Sequence, residues 1–316
     1  MAEAVKTAYV FPGQGAQWVG MGKDLCESSN SARAVFKHAD EALGFPISQL
    51  CFDGSEEELR LTINVQPAIV TFSLALLAAI KDTGDHVIPA PTFVAGHSLG
   101  EYTALAAAGV LDATAAILLA RERGQLMHQA SLASPGGMTA VIGLDEASLT
   151  DICFRAGVRI ANYNCPNQLV ISGEKDKLEK AASLAEAAGA KRVIPLQVSG
   201  AFHTPLMQPA ADGLAVAISS ISFAEPLLPI IANTTAEEAT TAETVKEELL
   251  HQLCHGVQWQ RSVEYMINKG ITAFIEIGPG KVLSGLIKRI DKGVSTINIG
   301  DAQAISNLLV EGSEVN

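Results

Sequence analysis

The chain alternates between short apolar runs and longer stretches in which apolar residues recur every three or four positions. Runs of the first kind predict buried strands, and the second spacing predicts amphipathic helices. Strands are predicted at 7–11, 93–95, 227–232 and 272–277, the last of these being the final strand of the chain. Helices are predicted at 21–26, 31–43, 64–80, 112–130, 258–269 and 281–290, and a further helix is predicted from Glu101 onward. This alternation is typical of an α/β fold built on a parallel sheet.

The middle of the chain follows a different order of elements. After the break at Pro135-Gly136-Gly137, strands are predicted at 138–142, 158–163, 168–172 and 191–198, with helices at 145–156 and 176–188. A β-α-β-β-α-β order is the split βαβ, ferredoxin-like signature. The sequence therefore predicts a small domain of residues 133–199, inserted into a core made of residues 1–132 and 200–316.

A candidate nucleophile lies between the strand at 93–95 and the helix that begins at Glu101. Gly96-His-Ser98-Leu-Gly100 matches the G-x-S-x-G pattern, in which a serine occupies a sharp strand-to-helix turn. Such a turn lifts the hydroxyl out of the sheet and places it at the positive end of the helix, where backbone N–H groups stabilise an oxyanion. The alternative is a purely structural turn, but the strand before it and the helix after it favour a nucleophilic Ser98.

Two further residues are candidates for the chemistry. His203 follows the predicted strand at 191–198 and precedes the helix start at Thr204-Pro205, a junction where α/β folds expose functional side chains. Because histidine is the commonest general base, His203 is the predicted base. Arg123 lies on the apolar stripe of its helix, whereas Arg121 is expected to reach solvent. A buried guanidinium needs an anion, which is either a structural partner within the fold or a substrate.

Composition excludes some classes of function. A formal net charge of −12 argues against nucleic acid and anionic membranes as partners. The apolar stretch at 74–80 is expected to be too short to cross a membrane, the proline at 67 is expected in the first turn of its helix, and residues 1–6 show no targeting segment. The five cysteines are scattered and no histidine lies at metal spacing. No metal site is therefore predicted, and a cytoplasmic location is expected.

Several separate stretches match one family in its order from one end of the chain to the other. They are FPGQGAQ (11–17), NVQPAI (64–69), GHSLGEYTAL (96–105), RGQLM (123–127), FH (202–203), PAADGL (209–214), VQWQRSVEYM (257–266) and EIGPGKVL (276–283). The chain resembles the malonyl-CoA:acyl carrier protein transacylases of type II fatty acid synthesis, which are related to the acyltransferase domains of polyketide synthases. Together the stretches are highly specific, whereas the turn at Ser98 alone would fit any esterase.

The resemblance implies an α/β-hydrolase-like core with an inserted ferredoxin-like domain, and a ping-pong reaction. Ser98 would attack the thioester of malonyl-CoA, and His203 would take the serine proton and return it to the leaving coenzyme A. The backbone N–H groups of Gln14 and Leu99 would form the oxyanion hole. Arg123 would bind the free carboxylate of the malonyl group, because its planar fork matches a carboxylate. The phosphopantetheine thiol of holo acyl carrier protein would then collect the acyl group, and no cofactor is implied.

The resemblance also implies how the pocket is completed. The histidine would be oriented by a main-chain carbonyl near Gln258 rather than by an aspartate. Phe202 resembles the residue of malonyl-selective relatives, since a large ring leaves little room for an α-methyl group. Asn162 and Asn164 are candidates for lining the pocket.

Three alternatives remain open at this point. The chain could be a serine hydrolase that gives its acyl group to water, an inactive docking subunit, or a free-standing acyltransferase of a polyketide pathway. Carrier proteins are generally acidic, so an acidic chain needs a local basic patch to bind one. The candidates for that patch are Lys191-Arg192, Lys281 and Lys288-Arg289.

Overall fold

The structure, a computed structural model, describes residues 6–84 and 87–313, with side chains described to residue 309. Residues 1–5, which entered the expectation of no targeting segment, lie outside the described residues. The strands are β1 Thr7–Phe11, β2 Pro91–Gly96, β3 Gly136–Ile142, β4 Arg159–Cys165, β5 Gln168–Glu174, β6 Arg192–Pro195, β7 Ile230–Ile231, β8 Glu238–Ala239, β9 Ala273–Ile277 and β10 Ser295–Ile299.

The helices are interleaved with these strands. They are α1 Lys23–Ser28, α2 Asn30–Leu43, α3 Ile47–Asp53, α4 Glu56–Arg60, α5 Thr62–Asp82, α6 Gly100–Ala107, α7 Ala113–Ala133, α8 Glu146–Ala156, α9 Lys175–Ala187, α10 Gln208–Ser219, α11 Ala242–Gln252, α12 Trp259–Asn268, α13 Val282–Ile290 and α14 Ala302–Ser313. A short 3₁₀ turn, Pro205–Met207, precedes α10.

Six strands form the larger sheet in the order β10-β9-β1-β2-β7-β8. All neighbours in it are parallel except β7 and β8. Successive side chains of a strand point to opposite faces, so Tyr9 and Phe11 pack in one apolar cluster while Ala8 and Val10 pack in another. A parallel strand buried on both faces requires helices on both sides. The predicted α/β fold class is confirmed.

The smaller sheet has the order β4-β5-β3-β6, and every pair in it is antiparallel. Helices α8 and α9 pack on it over a separate apolar cluster that includes Leu149, Ile171 and Ala181. The chain passes from β3 through α8 to β4 and from β5 through α9 to β6, which is the expected ferredoxin-like order. The domain boundaries at 133 and 199 stay predictions.

Main-chain hydrogen bonds join β4 of the smaller sheet to the segment between α11 and α12, at a place that we call the seam and define by residues 161–163 and 257. The N–H of Val257 donates to the carbonyl of Ala161 at 2.8 Å, and the N–H of Tyr163 donates to the carbonyl of Val257 at 2.8 Å. Asn162, between these two residues of β4, pairs with Val257 as an isolated parallel bridge.

Helix α5 differs from its prediction in two respects. It begins at Thr62, so Pro67 lies in the second turn, where it leaves the carbonyl of Ile63 without its helical donor. The guanidinium of Arg121, which is half-buried, donates to that carbonyl and also to Asn64. The helix is also 21 residues long with a mean hydropathy of 1.8, enough by length and composition to span a membrane, but 78% of its most apolar window is buried inside the protein.

Other differences concern the C-terminal half. The strand expected at 227–232 contains only two residues, β7, and a further strand, β10, follows the one predicted to be last. Helix α11 was not predicted at all. Its sequence, AETVKEELLHQ, is largely polar, and only a few positions face the core, so its periodicity is weak.

Candidate active site

Ser98 lies at the bend between β2 and α6, with a backbone φ of 51°, which L-residues other than glycine rarely adopt. The glycines on either side make this bend possible. A Cβ on Gly96 would lie 1.9 Å from the main chain of Gly100, and one on Gly100 would lie 2.0 Å from the carbonyl oxygen of Phe11. The pattern G-x-S-x-G is therefore required here by close backbone contact.

The hydroxyl of Ser98 is paired with His203. Ser98 Oγ and His203 Nε2 are 2.8 Å apart, and His203 Nδ1 lies 2.7 Å from the carbonyl oxygen of Gln252. Because a carbonyl only accepts, Nδ1 carries the proton and the lone pair of Nε2 faces the serine. The orienting carbonyl was expected near Gln258; it belongs to Gln252, six residues earlier, at the end of α11.

His203 is held as the neutral base. Its side chain is buried, and burial lowers the pKa of His203 to about 3, with the nearby charge of Arg123 adding to the effect. The residue itself has a φ of 60° and stands immediately before Thr204, whose hydroxyl accepts from the N–H of Leu206 at the start of the 3₁₀ turn. An imidazole with a lowered pKa is unprotonated at neutral pH and is able to take the serine proton.

Arg123 is a buried cation whose recorded partners are all uncharged. It is 1% exposed, and its guanidinium donates to Gln66 Oε1 at 2.8 Å, to Gln252 Oε1 at 2.9 Å and to Ser98 Oγ at 3.1 Å. Burial lowers its pKa, and Nε has no hydrogen-bond partner among the described residues. No carboxylate of the described residues lies within ion-pair distance of this guanidinium, so the alternative of a structural ion pair is not supported.

The backbone N–H groups of Gln14 and Leu99, the two predicted for the oxyanion hole, have no hydrogen-bond partner recorded within the described part of the chain. Leu99 follows the serine at the N-terminus of α6, where helical N–H groups are free. The loop that carries Gln14 touches the bend, since a Cβ on Gly13 would lie 2.4 Å from the carbonyl oxygen of His97. The structure thus brings the loop of Gln14 against the bend on which Leu99 lies.

Asn162 and Asn164, both in β4, lie beside the bend through His97. His97 Nε2 is 2.9 Å from Asn164 Oδ1 and 3.4 Å from Asn162 Nδ2, and its ring centroid lies 5.6 Å from that of Trp259. Asn162 Oδ1 is buried without a partner among the described residues. These residues place the small sheet at the edge of the site.

The remaining two predicted residues have less direct positions. Phe202 is buried and packs in the main apolar cluster, next in sequence to His203. The side chain of Gln258 accepts a hydrogen bond from Arg261, and its N–H donates to the carbonyl of Asn233 at 2.7 Å. The structure records no contact of Gln258 with Ser98 or His203 among the described residues.

Sequence analysis missed three residues that hold this site together: Glu101, Asn233 and Gln252. Glu101 and Gln252 are almost fully buried polar side chains, and Asn233 is 2% exposed. Asn233 Oδ1 accepts from the N–H of Ser98 at 2.7 Å, and Gln252 Nε2 donates to the carbonyl of Ser98 at 2.9 Å. Glu101 could have been suspected, because it directly follows the G-x-S-x-G segment on an otherwise apolar helix face. Asn233 and Gln252 carry no sequence signal.

The basic candidates are partly brought together. Lys191, Arg192 and Arg289 line one cavity of about 380 Å³, which also includes Cys165 and Gln168. Cys165 follows Asn164 directly, so this cavity lies on the same strand as the edge of the active site. A larger cavity of about 630 Å³, between α5 and the end of α6, contains none of the predicted site residues.

Titratable groups near the site are also perturbed. Burial, together with the neighbouring Glu248, raises the pKa of Glu101 well above its usual range. Burial also lowers the pKa of His97.

No group of three or more His, Cys, Asp or Glu side chains able to hold a metal ion occurs in residues 6–84 and 87–313.

Comparison with known proteins identifies relatives of this chain. The family model described as "Acyl transferase domain" matches residues 8–306. Malonyl CoA-acyl carrier protein transacylase of Bacillus subtilis is 45% identical over 305 residues, 95% of this chain and 95% of that protein. The acyl carrier protein S-malonyltransferase of Vibrio cholerae superposes with a TM-score of 0.92 at 42% identity, covering 96% and 99% of the two chains.

A second solved structure is a malonyl-transacylase in complex with its type II polyketide synthase acyl-carrier protein. It superposes with a TM-score of 0.93 at 40% identity, covering 97% of this chain and 99% of that one. The similarity extends over nearly the whole of both chains. The chain belongs to the acyl transferase family.

Proposed function

We propose that this chain transfers the malonyl group of malonyl-CoA to the phosphopantetheine thiol of acyl carrier protein, through a malonyl ester on Ser98. The observation that carries the proposal is Arg123: a buried guanidinium 3.1 Å from the nucleophile whose recorded partners are all uncharged. A carboxylate at the far end of a short acyl group would supply the missing anion with two parallel hydrogen bonds. The relatives, which are named for malonyl transfer, support the same choice.

In the first half-reaction the proton of Ser98 Oγ passes to His203 Nε2 as the oxygen attacks the thioester carbonyl. The resulting oxyanion is stabilised by the free N–H groups of Gln14 and Leu99. When the intermediate collapses, the C–S bond breaks and the proton on His203 goes to the thiolate of coenzyme A. The products are malonyl-Ser98 and free coenzyme A.

The second half-reaction uses the same groups in reverse. The thiol of phosphopantetheine gives its proton to His203 and attacks the ester carbonyl, and the Ser98–acyl bond breaks with return of the proton to Oγ. This sequence is complete without a resident cofactor. The five cysteines are all free and buried, which supports a cytoplasmic location for the enzyme.

Binding of malonyl also changes the base. The charge of Arg123 contributes to the lowered pKa of His203, and a bound carboxylate neutralises that charge. The pKa of His203 should therefore be lowered less when malonyl-CoA is bound, while burial, the main cause of its low pKa, remains. An acetyl group, which has no carboxylate, does not have this effect.

A carrier protein must bring its thiol to Ser98, and the basic cavity is the proposed docking face. Lys191, Arg192 and Arg289 are three cations on a chain whose net charge is −12. Cys165 of β4 lines their cavity, and the residue before it, Asn164, contacts His97 beside the nucleophile. Local positive charge there would attract an acidic carrier despite the overall charge of the chain.

The proposal is tested by following the acyl-enzyme with mass spectrometry after mixing with malonyl-CoA. The wild type should gain one malonyl group, Ser98→Ala should gain none, and Ser172→Ala, which changes a buried serine of the small sheet, should load like the wild type. Added holo carrier protein should then remove the group as malonyl-carrier. Rapid release of free malonate in the absence of carrier would instead identify a hydrolase and refute the proposal. Comparing the transfer rates to a fatty acid carrier and to a polyketide carrier would assign the pathway.

A further inference from the structure

Glu101 is a carboxylate almost fully removed from water at the second position of α6. It is 1% exposed, and all three of its recorded hydrogen-bond partners are N–H donors. Oε1 accepts from the backbone N–H of Asn233 at 3.1 Å and from its Nδ2 at 2.9 Å, and Oε2 accepts from Gln252 Nε2 at 2.5 Å. Burying an ionisable group is costly, so its presence in the apolar core requires a reason.

Both partners of Glu101 reach directly to the bend that carries the nucleophile. Asn233 accepts from the N–H of Ser98 through Oδ1 at 2.7 Å and donates to the carbonyl of Gly96 through Nδ2 at 2.7 Å. Gln252 donates to the carbonyl of Ser98 at 2.9 Å through the same Nε2 that Glu101 accepts from. The backbone on either side of the nucleophile is thus held by two amides that share one carboxylate.

Gln252 also reaches the other two groups of the site. Its Oε1 accepts from Arg123 Nη2, and its main-chain carbonyl accepts from His203 Nδ1. A terminal amide can present either its oxygen or its nitrogen to a neighbour. If the amide of Gln252 were reversed, its NH₂ would face the guanidinium of Arg123, donor against donor, and its oxygen would face the carbonyl of Ser98.

We infer that Glu101 is a positioning residue for the proposed malonyl transfer, on which this inference rests. Because both of its carboxyl oxygens accept hydrogen bonds, Glu101 fixes the side-chain amides of Gln252 and Asn233. In that fixed orientation the two amides aim Arg123 and hold Ser98. Glu101 touches neither the substrate nor the reacting atoms. It acts on substrate selection through Gln252 and on the nucleophile through Asn233. The competing explanation is a structural one, in which a carboxylate in the first turn of α6 only stabilises that helix.

Glu101→Gln tests the inference, because glutamine keeps the shape but presents NH₂ where one of the acceptor oxygens stood. Loading of Ser98 should fall by about tenfold or more with malonyl-CoA, since an accepting oxygen opposite the amide of Gln252 is replaced by an NH₂ group, donor against donor. The ratio of malonyl to acetyl loading should also fall. Glu276→Gln is the matched control: Glu276 is equally buried and accepts from the N–H groups of Leu283 and Ser284 at the start of α13.

A structural role alone would lower the thermal midpoint of Glu101→Gln and Glu276→Gln alike and leave the malonyl-to-acetyl ratio of folded protein unchanged in both. The double variant with Arg123→Ala gives a second readout. If Glu101 acts through Gln252 on Arg123, the double variant should show the same ratio as Arg123→Ala alone, whereas independent effects would multiply.

A folded Glu101→Gln with the wild-type loading rate and ratio would overturn the inference. Should that variant fail to fold, Glu101→Asp carries the same test, since a side chain one methylene shorter cannot reach both Asn233 and Gln252; a folded Glu101→Asp with the wild-type rate and ratio would overturn it as well. Loading of the wild type, measured in parallel, separates the two proposals. Absence of malonyl-Ser98 in the wild type would refute the proposed function itself. Normal loading of the wild type, with the same rate and ratio in the folded variant, would overturn only the role of Glu101.

Discussion

Arg123→Ala removes the cation that the proposed substrate carboxylate would contact. Removing one member of a buried, hydrogen-bonded charge pair costs about 3–5 kcal/mol. At about 1.4 kcal/mol for each factor of ten, kcat/KM for malonyl-CoA should fall by about 140- to 3,700-fold. The loss with acetyl-CoA should be much smaller, because an acetyl group makes no ion pair, so the malonyl-to-acetyl ratio should fall by nearly the whole factor.

The assay is the rate of acyl-enzyme formation with each thioester, measured on protein whose thermal unfolding has been checked. Folding must be checked because the variant leaves the side-chain oxygens of Gln66 and Gln252 without their donor. Arg121→Ala is the control on the same helix: it leaves the carbonyl of Ile63 unpaired and should lower the unfolding midpoint without changing the substrate ratio. An unchanged ratio in Arg123→Ala would refute the assignment of Arg123 to the substrate carboxylate.

Three further predictions follow from the geometry. His203 must be neutral to accept the serine proton, and its pKa is lowered to about 3, so kcat/KM for malonyl-CoA should stay level as pH falls through 6.5. A loss of kcat/KM between pH 6 and 7, the range in which an ordinary histidine becomes protonated, would contradict this prediction. Gly100→Ala would place a Cβ 2.0 Å from the carbonyl oxygen of Phe11, so calorimetry should show a large drop in the unfolding midpoint. Lys191→Glu combined with Arg289→Glu should raise KM for carrier protein about tenfold or more at low salt while sparing the loading step, and equal KM values would exclude this docking face.

Local sequence was sufficient to predict the parts of the site that depend on one turn of chain. The bend at Ser98 needs glycines on both sides for steric reasons, so its pattern is visible in five residues. Arg123 could be predicted to be buried, because it is a charged residue on the apolar face of its helix. His203 could be placed at a junction because a threonine and a proline mark the helix start that follows it.

The parts that depend on distant segments could not be predicted. Gln252 ends a helix with a weak apolar period, and nothing near it in sequence shows that its carbonyl meets a histidine 49 residues away. The position of Pro67 was wrong by one turn, because the compensating donor, Arg121, comes from another helix. Hydrogen bonds between side chains far apart in the chain leave no periodic trace, so these residues became visible only once the structure had brought them together.

The seam between β4 and the segment before α12 has a consequence for how rigidly the small sheet is held beside the active site. Asn162 and its neighbours in β4 are tied to Val257 by two backbone hydrogen bonds of 2.8 Å, close to the contact between Asn164 and His97. Moving β4 away from Val257 would break both bonds, so the position of Asn164 relative to His97 is set when the chain folds. A variant meant to shift Asn164 must therefore change the backbone contact of residues 161–163 with 257, because a side-chain substitution alone leaves both main-chain bonds in place.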